Sequence, residues 1–317
     1  MNQSEVNVHK STESKGPSIR PNIIMLLYVF WFLYAPHLIW RILPHYPALF
    51  GIPLGIWIRI VDAIFMAIIP ALIYFMYVKF FTKQRIRDIL SIARLNPRNI
   101  LYITVITLAF ALTYGGLLGY GIPFFFSDTP MPMRVSAEPT WQILIRAGII
   151  AALAEELIHR GILHGEYSTK KVAYWKIALV VGLSFGLIHV GVGAMSVIDT
   201  TFSGVFLYAP LIYLTRSIWA PVLHHVIVNS LSWINLANFV DNQADHDAFM
   251  PIYMIILAVV VAILIPAAVI CGKKFWALNK HNHIAKKDLP KESKAFKLTY
   301  WATVAIMLAA IVSRLLR

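Results

Sequence analysis

Apolar residues form long runs along this chain, and short polar stretches separate one run from the next. A helix needs about 20 apolar residues to cross a hydrocarbon core roughly 30 Å thick. Nine runs approach that length: 22–41, 53–78, 99–122, 141–164, 173–193, 200–214, 217–236, 249–271 and 298–315. The pattern predicts an all-α fold, a polytopic transmembrane bundle of about eight to nine helices. The sixth run is short, which is typical of a re-entrant or tilted helix.

The polar stretches between the runs divide the chain into six regions. These are a polar N-terminal tail (1–21), N-terminal transmembrane helices (22–140), a central core (141–236), an outer loop with the following helix (237–271), a basic cytoplasmic linker (272–297) and a C-terminal transmembrane helix (298–317). No apolar stretch precedes Ile23, so we expect no cleavable signal peptide.

The composition excludes two broad classes of protein. Hydrophobic residues make up 59% of the chain and charged residues only 14%, whereas soluble domains carry about 25% charged residues. Disordered chains are poor in apolar residues, so disorder is excluded as well. The single cysteine, Cys271, rules out an internal disulfide and a cysteine-based metal cluster.

The formal charge of +13 predicts how the helices are oriented. Of 28 basic residues, 21 fall in the alternate segments that share a side with the N-terminus, and four fall in the opposite segments. Cytoplasmic loops are rich in Lys and Arg, so this asymmetry predicts a cytoplasmic N-terminus and an outer C-terminus. Because the basic residues follow the membrane topology, we expect the lipid bilayer and no nucleic acid as a partner.

Three of the central runs carry polar residues where lipid-facing side chains are expected. The residues are Glu155, Glu156 and Arg160 in the fourth run, His189 after Phe185 in the fifth, and His225 and Asn229 in the seventh. Charges at membrane depth are costly and indicate function. Glu156 and Arg160 are four residues apart, the favourable order for an ion pair within a helix. Glu155 is turned about 100° from Glu156 and can face another helix.

Together these side chains suit hydrolysis of an amide. A buried carboxylate and a histidine can activate water, and a second histidine with an Asn amide can donate hydrogen bonds to a tetrahedral oxyanion. Alternatively, Glu155, His189 and His225 could hold a divalent metal such as zinc that activates the water. The residues leave both versions open.

The three motifs resemble those of the CAAX protease and bacteriocin-processing (CPBP, Abi) family of intramembrane endopeptidases. They are Glu155-Glu156-x-x-x-Arg160, Phe185-x-x-x-His189 and His225-x-x-x-Asn229, and the likeness covers about residues 140–235. The resemblance implies a multi-pass membrane protease, located in the cell inner membrane if the source is bacterial, that cuts a membrane-associated protein or peptide. It further implies that Glu155 and His189 activate water, that His225 and Asn229 hold the oxyanion, and that Glu156, Arg160 and Phe185 support the site.

Two other functions fit the same helices. A non-catalytic immunity or adaptor protein could keep this scaffold, and a transporter could use buried acids and histidines as a proton relay. Transporters usually contain internal repeats, which the chain lacks. Two glycine pairs, Gly115-x-x-x-Gly119 and Gly182-x-x-x-Gly186, predict close contacts between helices.

Overall fold

The computed structural model describes residues 17–42, 53–121, 139–233 and 243–316, which form an all-helical protein. Five of the six predicted regions are therefore covered only in part, since residues 1–16, 43–52, 122–138, 234–242 and 317 lie outside the described residues. The ten helices are α1 (Arg20–Ile42), α2 (Leu54–Phe81), α3 (Ile86–Leu90), α4 (Pro97–Ala111, continued by Leu112–Gly121), α5 (from Thr140–Ile143 through His164–Thr169), α6 (Tyr174–Leu187), α7 (Ala194–Thr215), α8 (Trp219–Trp233), α9 (Gln243–Asn279) and α10 (Lys294–Leu315).

Five of the described helices are long and apolar enough to cross a membrane: α2, α4, α7, α9 and α10. Helix α5 is just as long but carries five charged side chains, three of which belong to the first motif. Helices α6 and α8 are shorter. The charges that make α5 a poor spanning helix are thus the ones expected to carry function.

The ends of two helices differ from the prediction, and the difference changes the position of a site residue. The run 173–193 ends as an α-helix at Leu187, and Gly193, with φ of +124°, comes directly before the next helix. His189 therefore lies in the turn after α6. The short run 200–214 is part of a longer helix, α7, that starts at Ala194 directly after this turn.

Glycines allow α6 and α7 to approach each other closely. A Cβ atom at Gly186 would lie 1.9 Å from Thr201 Oγ1, and one at Gly182 would lie 2.5 Å from Val205 Cγ2. This predicted glycine contact is confirmed. The corresponding prediction for Gly115 is wrong, because a Cβ there would meet no atom within 4 Å.

The terminal helices are tied to the C-terminal end of α5 by buried polar contacts. Asn22 of α1 accepts a hydrogen bond from Tyr167 at 2.8 Å and donates one to Thr299 of α10, also at 2.8 Å. The buried carboxylate of Glu166 contacts both Arg20 and Tyr74. These contacts place α1 and α10 against the helix that carries the first motif.

Candidate active site

The buried ion pair on α5 is built as the sequence predicts. Arg160 Nη1 donates to Glu156 Oε1 at 2.9 Å, and both side chains are fully buried. The guanidinium also contacts two aromatic rings, 4.2 Å from the centroid of Phe185 and 4.3 Å from that of Tyr208. The two cation–π contacts and the ion pair hold the Arg160 charge in place.

His225 of α8 lies between the two glutamates of the first motif. Its Nδ1 is 2.8 Å from Glu156 Oε1, and its Nε2 is 3.7 Å from Glu155 Oε2. An ionised carboxylate only accepts hydrogen bonds, so Nδ1 carries the hydrogen and Nε2 points toward Glu155. Glu156 therefore orients His225 as well as binding Arg160, a second contact that helical spacing on α5 alone does not reveal.

Glu155 is the less buried of the two glutamates, with 20% of its side chain exposed. Within the described part of the chain, its Oε2 accepts no hydrogen bond, although that oxygen is buried. A separation of 3.7 Å from His225 Nε2 leaves both atoms within hydrogen-bond reach of a single water oxygen. The geometry thus suits a water held by Glu155 and His225 together.

His189 is held by the backbone at the end of α6. Its Nδ1 donates to the carbonyl oxygen of Phe185 at 2.9 Å, and its ring meets that of Phe185 edge-on at 4.9 Å. A carbonyl can only accept, so the neutral ring keeps its lone pair on Nε2. The Phe185-x-x-x-His189 motif therefore presents an acceptor nitrogen at a fixed position.

A cavity of about 270 Å³ brings together three of the four predicted catalytic residues, His189, His225 and Asn229. Asn229 donates one amide hydrogen to the carbonyl oxygen of Ala147 at 2.8 Å, which leaves its second hydrogen for a ligand. Glu155 is not among the described residues that line the cavity. The ring of His225 lines the cavity and lies next to the Glu155 carboxylate.

A metal ion does not fit these residues as they lie. Within residues 17–42, 53–121, 139–233 and 243–316, no group of three His, Cys, Asp or Glu side chains is close enough together to hold one. Glu155 and His225 approach each other, while His189 is anchored to its own helix. Zinc binding stays a prediction of the sequence, and we derive no reaction step through a metal.

Two residues of the cavity escaped the sequence reasoning. Asp199 lies between the predicted runs 173–193 and 200–214, but α7 begins at Ala194 and carries Asp199 into the cavity wall. Tyr208, also on α7, contacts His225 with a ring-centroid distance of 5.2 Å. The sequence gives one indication that Asp199 is functional, because it is an acidic residue between two apolar runs. It gives none for Tyr208, since aromatic residues are common in apolar runs.

The fold and these contacts define an integral membrane protein in which a buried glutamate–histidine centre opens onto a cavity. Residues 137–231, under a third of the chain, match the family model of Rce1-like proteins, the type II CAAX prenyl endopeptidases. This segment holds all three motifs, and the match supports the CAAX protease family that they indicate. The match indicates a CAAX-type protease that acts within the membrane. No curated protein and no solved structure matched the chain.

Proposed function

We propose that the protein is an intramembrane endopeptidase that hydrolyses a peptide bond of a membrane-associated substrate without a covalent intermediate. The observation that carries the proposal is the contact of His225 with both glutamates at the wall of a cavity that also holds His189 and Asn229. We further propose that the helices form a bundle of eight to nine spans with a cytoplasmic N-terminus, consistent with the five apolar helices.

The first chemical step is attack by water. Glu155 and His225 Nε2 hold the water oxygen, and Glu155 takes one proton as the oxygen bonds to the carbonyl carbon. The electrons of the carbonyl double bond move to its oxygen. The free amide hydrogen of Asn229 stabilises that oxyanion, and its position is fixed by the bond to Ala147.

The second step breaks the carbon–nitrogen bond. Glu155 returns its proton to the leaving nitrogen as the carbonyl reforms, which balances the reaction as one water added across the peptide bond. His189 Nε2 accepts a hydrogen bond from the scissile N–H and so orients the amide. In this scheme His225 binds the water and His189 binds the scissile N–H. These roles differ from those that the family resemblance implied, in which His189 activates the water and His225 holds the oxyanion.

Peptide cleavage by the purified full-length protein in lipid vesicles tests the proposal. A mixed peptide library is incubated in H₂¹⁸O, and products are identified by mass spectrometry. Hydrolysis places one ¹⁸O atom in each new carboxylate. We expect the wild type to cleave a subset of peptides and Glu155→Gln to cleave none, because the amide cannot accept the proton.

The matched control is Glu292→Gln, the same substitution in a carboxylate that pairs with Lys176 outside the site. It should retain cleavage. A Glu155→Gln protein that cleaves at the wild-type rate would contradict the mechanism. A folded wild type that cleaves no peptide, while still binding one, would favour the immunity or adaptor function.

A further inference from the structure

The cavity beside the candidate active site contains several hydrogen-bond acceptors. His189 and His225 both use their Nδ1 hydrogen elsewhere, on Phe185 and Glu156, and keep Nε2 as an acceptor. Asn229 has donated one amide hydrogen to backbone, and its carbonyl oxygen can accept. A ligand that brings hydrogen-bond donors would complement such a wall.

The cavity also contains one carboxylate that the proposed reaction does not use. Asp199 of α7 lines the wall together with Tyr114 of α4 and Ser203 of α7. The Tyr114 hydroxyl donates a hydrogen bond to Asp199, and Ser203 Oγ lies 3.5 Å from Asp199 Oδ1. Neither neighbour is a cation, so hydrogen bonds hold the carboxylate in place without neutralising its charge.

No Lys or Arg side chain lines the described wall of the cavity with Asp199. His189 lines the same wall and acts electrostatically on Asp199, and its ring is held by the Phe185 carbonyl oxygen. The guanidinium of Arg160 contacts the rings of Phe185 and Tyr208 and is paired with Glu156. With His189 neutral, Asp199 is the one formal charge on the described surface of the cavity.

We propose that this cavity binds a cationic group of the substrate, a Lys or Arg side chain or an α-ammonium group, with Asp199 as its counter-charge. That the bound molecule is a substrate rests on the proposed function. A substrate with a basic residue near the scissile bond would place its cation against Asp199.

Thiol labelling measures the charge of the cavity without any need for activity. Ser232 is exposed and lies in the cavity wall, and Cys271 is the chain's one cysteine. In a Cys271→Ala, Ser232→Cys protein, labelling rates are compared for two methanethiosulfonate reagents, one with a trimethylammonium group and one with a sulfonate.

We expect Asp199→Asn to lower the cation-to-anion rate ratio roughly fivefold to tenfold, the effect of one charge at several ångströms in a wet cavity. Asp88→Asn, which removes an exposed carboxylate paired with Arg85, should leave the ratio unchanged. A ratio that Asp199→Asn does not change would overturn the proposal.

Cleavage then tests whether the charge selects substrates. Peptides cut by the wild type are resynthesised with Lys, Gln or Glu at each position near the scissile bond. We expect Lys to be preferred at one position and Asp199→Asn to reduce that preference about tenfold, with the Gln peptide still cleaved. If Asp199→Asn lowered the cleavage rates of the Lys, Gln and Glu peptides equally, Asp199 would have a structural role only, and the assignment would be overturned. If no peptide is cut, the proposed function fails, and the labelling ratio still decides the charge of the cavity.

Discussion

Arg160 of α5 and His225 of α8 share one oxygen atom of Glu156, so a single buried carboxylate joins these two helices. The sequence predicted the pair within α5 because residues four apart on a helix are neighbours. The sequence could not predict the hydrogen bond between Glu156 and His225 of α8, since residue spacing along one helix does not show which neighbouring helix that face contacts. The stacking of Tyr208 on Arg160 escaped prediction for the same reason.

Replacing Arg160 should destabilise the protein strongly. Arg160→Met leaves Glu156 buried with only His225 as a partner, and we expect a loss of about 3 kcal/mol in the free energy of unfolding. Arg160→Lys should lose less, because lysine keeps the charge but lacks the flat guanidinium that contacts two rings. Unfolding in mixed detergent micelles measures both variants.

The comparison is Arg85→Met, which removes an exposed pair with Asp88. Surface pairs are worth under about 1 kcal/mol, so this variant should unfold almost as the wild type does. Equal losses for Arg160→Met and Arg85→Met would show that the buried pair does not stabilise the site.

At the scale of helices, the turn between α6 and α7 determines which residues line the cavity. Gly193 comes directly before α7, which begins at Ala194, and Asp199 thereby enters the wall. Hydrophobic runs located most helices, but the run across 173–193 stayed apolar beyond the true end of α6. Helix ends depend on backbone conformation at single glycines, which hydrophobicity does not report.

A methyl group added at Gly186 should disrupt the close packing of α6 against α7. In Gly186→Ala, the new Cβ overlaps Thr201 Oγ1, so the helices must separate. We expect a lower midpoint of thermal unfolding and partial recovery in Gly186→Ala, Thr201→Ala, where the nearest obstacle is gone. Recovery should be incomplete, because the Val197 carbonyl oxygen lies 3.0 Å from the added carbon.

Gly191→Ala serves as the control, since no atom lies within 4 Å of a Cβ at that position. Its unfolding midpoint should match that of the wild type. A Gly186→Ala protein as stable as this control would contradict the described packing.

For the whole molecule, the sequence predicted the helical class, the order of the helices and the family segment, and the structure adds how the ends are joined. Asn22, Tyr167 and Thr299 link the first and last helices to α5 through buried hydrogen bonds. These polar residues lie at helix ends, where sequence alone does not distinguish a buried contact from exposure to water.

The predicted orientation can be tested in intact cells. A single cysteine is placed in a Cys271→Ala background, either at Ser14 in the polar tail or at Asp128 in a predicted outer loop. A membrane-impermeant thiol reagent should label the Asp128→Cys protein from outside and the Ser14→Cys protein only after lysis, because the lysine-rich and arginine-rich segments remain cytoplasmic. The opposite pattern would reverse the topology.

The most direct test of the central claim is a comparison of new peptide termini in membranes of cells that express the wild type, Glu155→Gln or Glu292→Gln at matched levels. We predict a set of termini that is shared by the wild type and Glu292→Gln and is absent from Glu155→Gln. The same set of termini in all three membranes, none of them dependent on Glu155, would contradict proteolysis by this site.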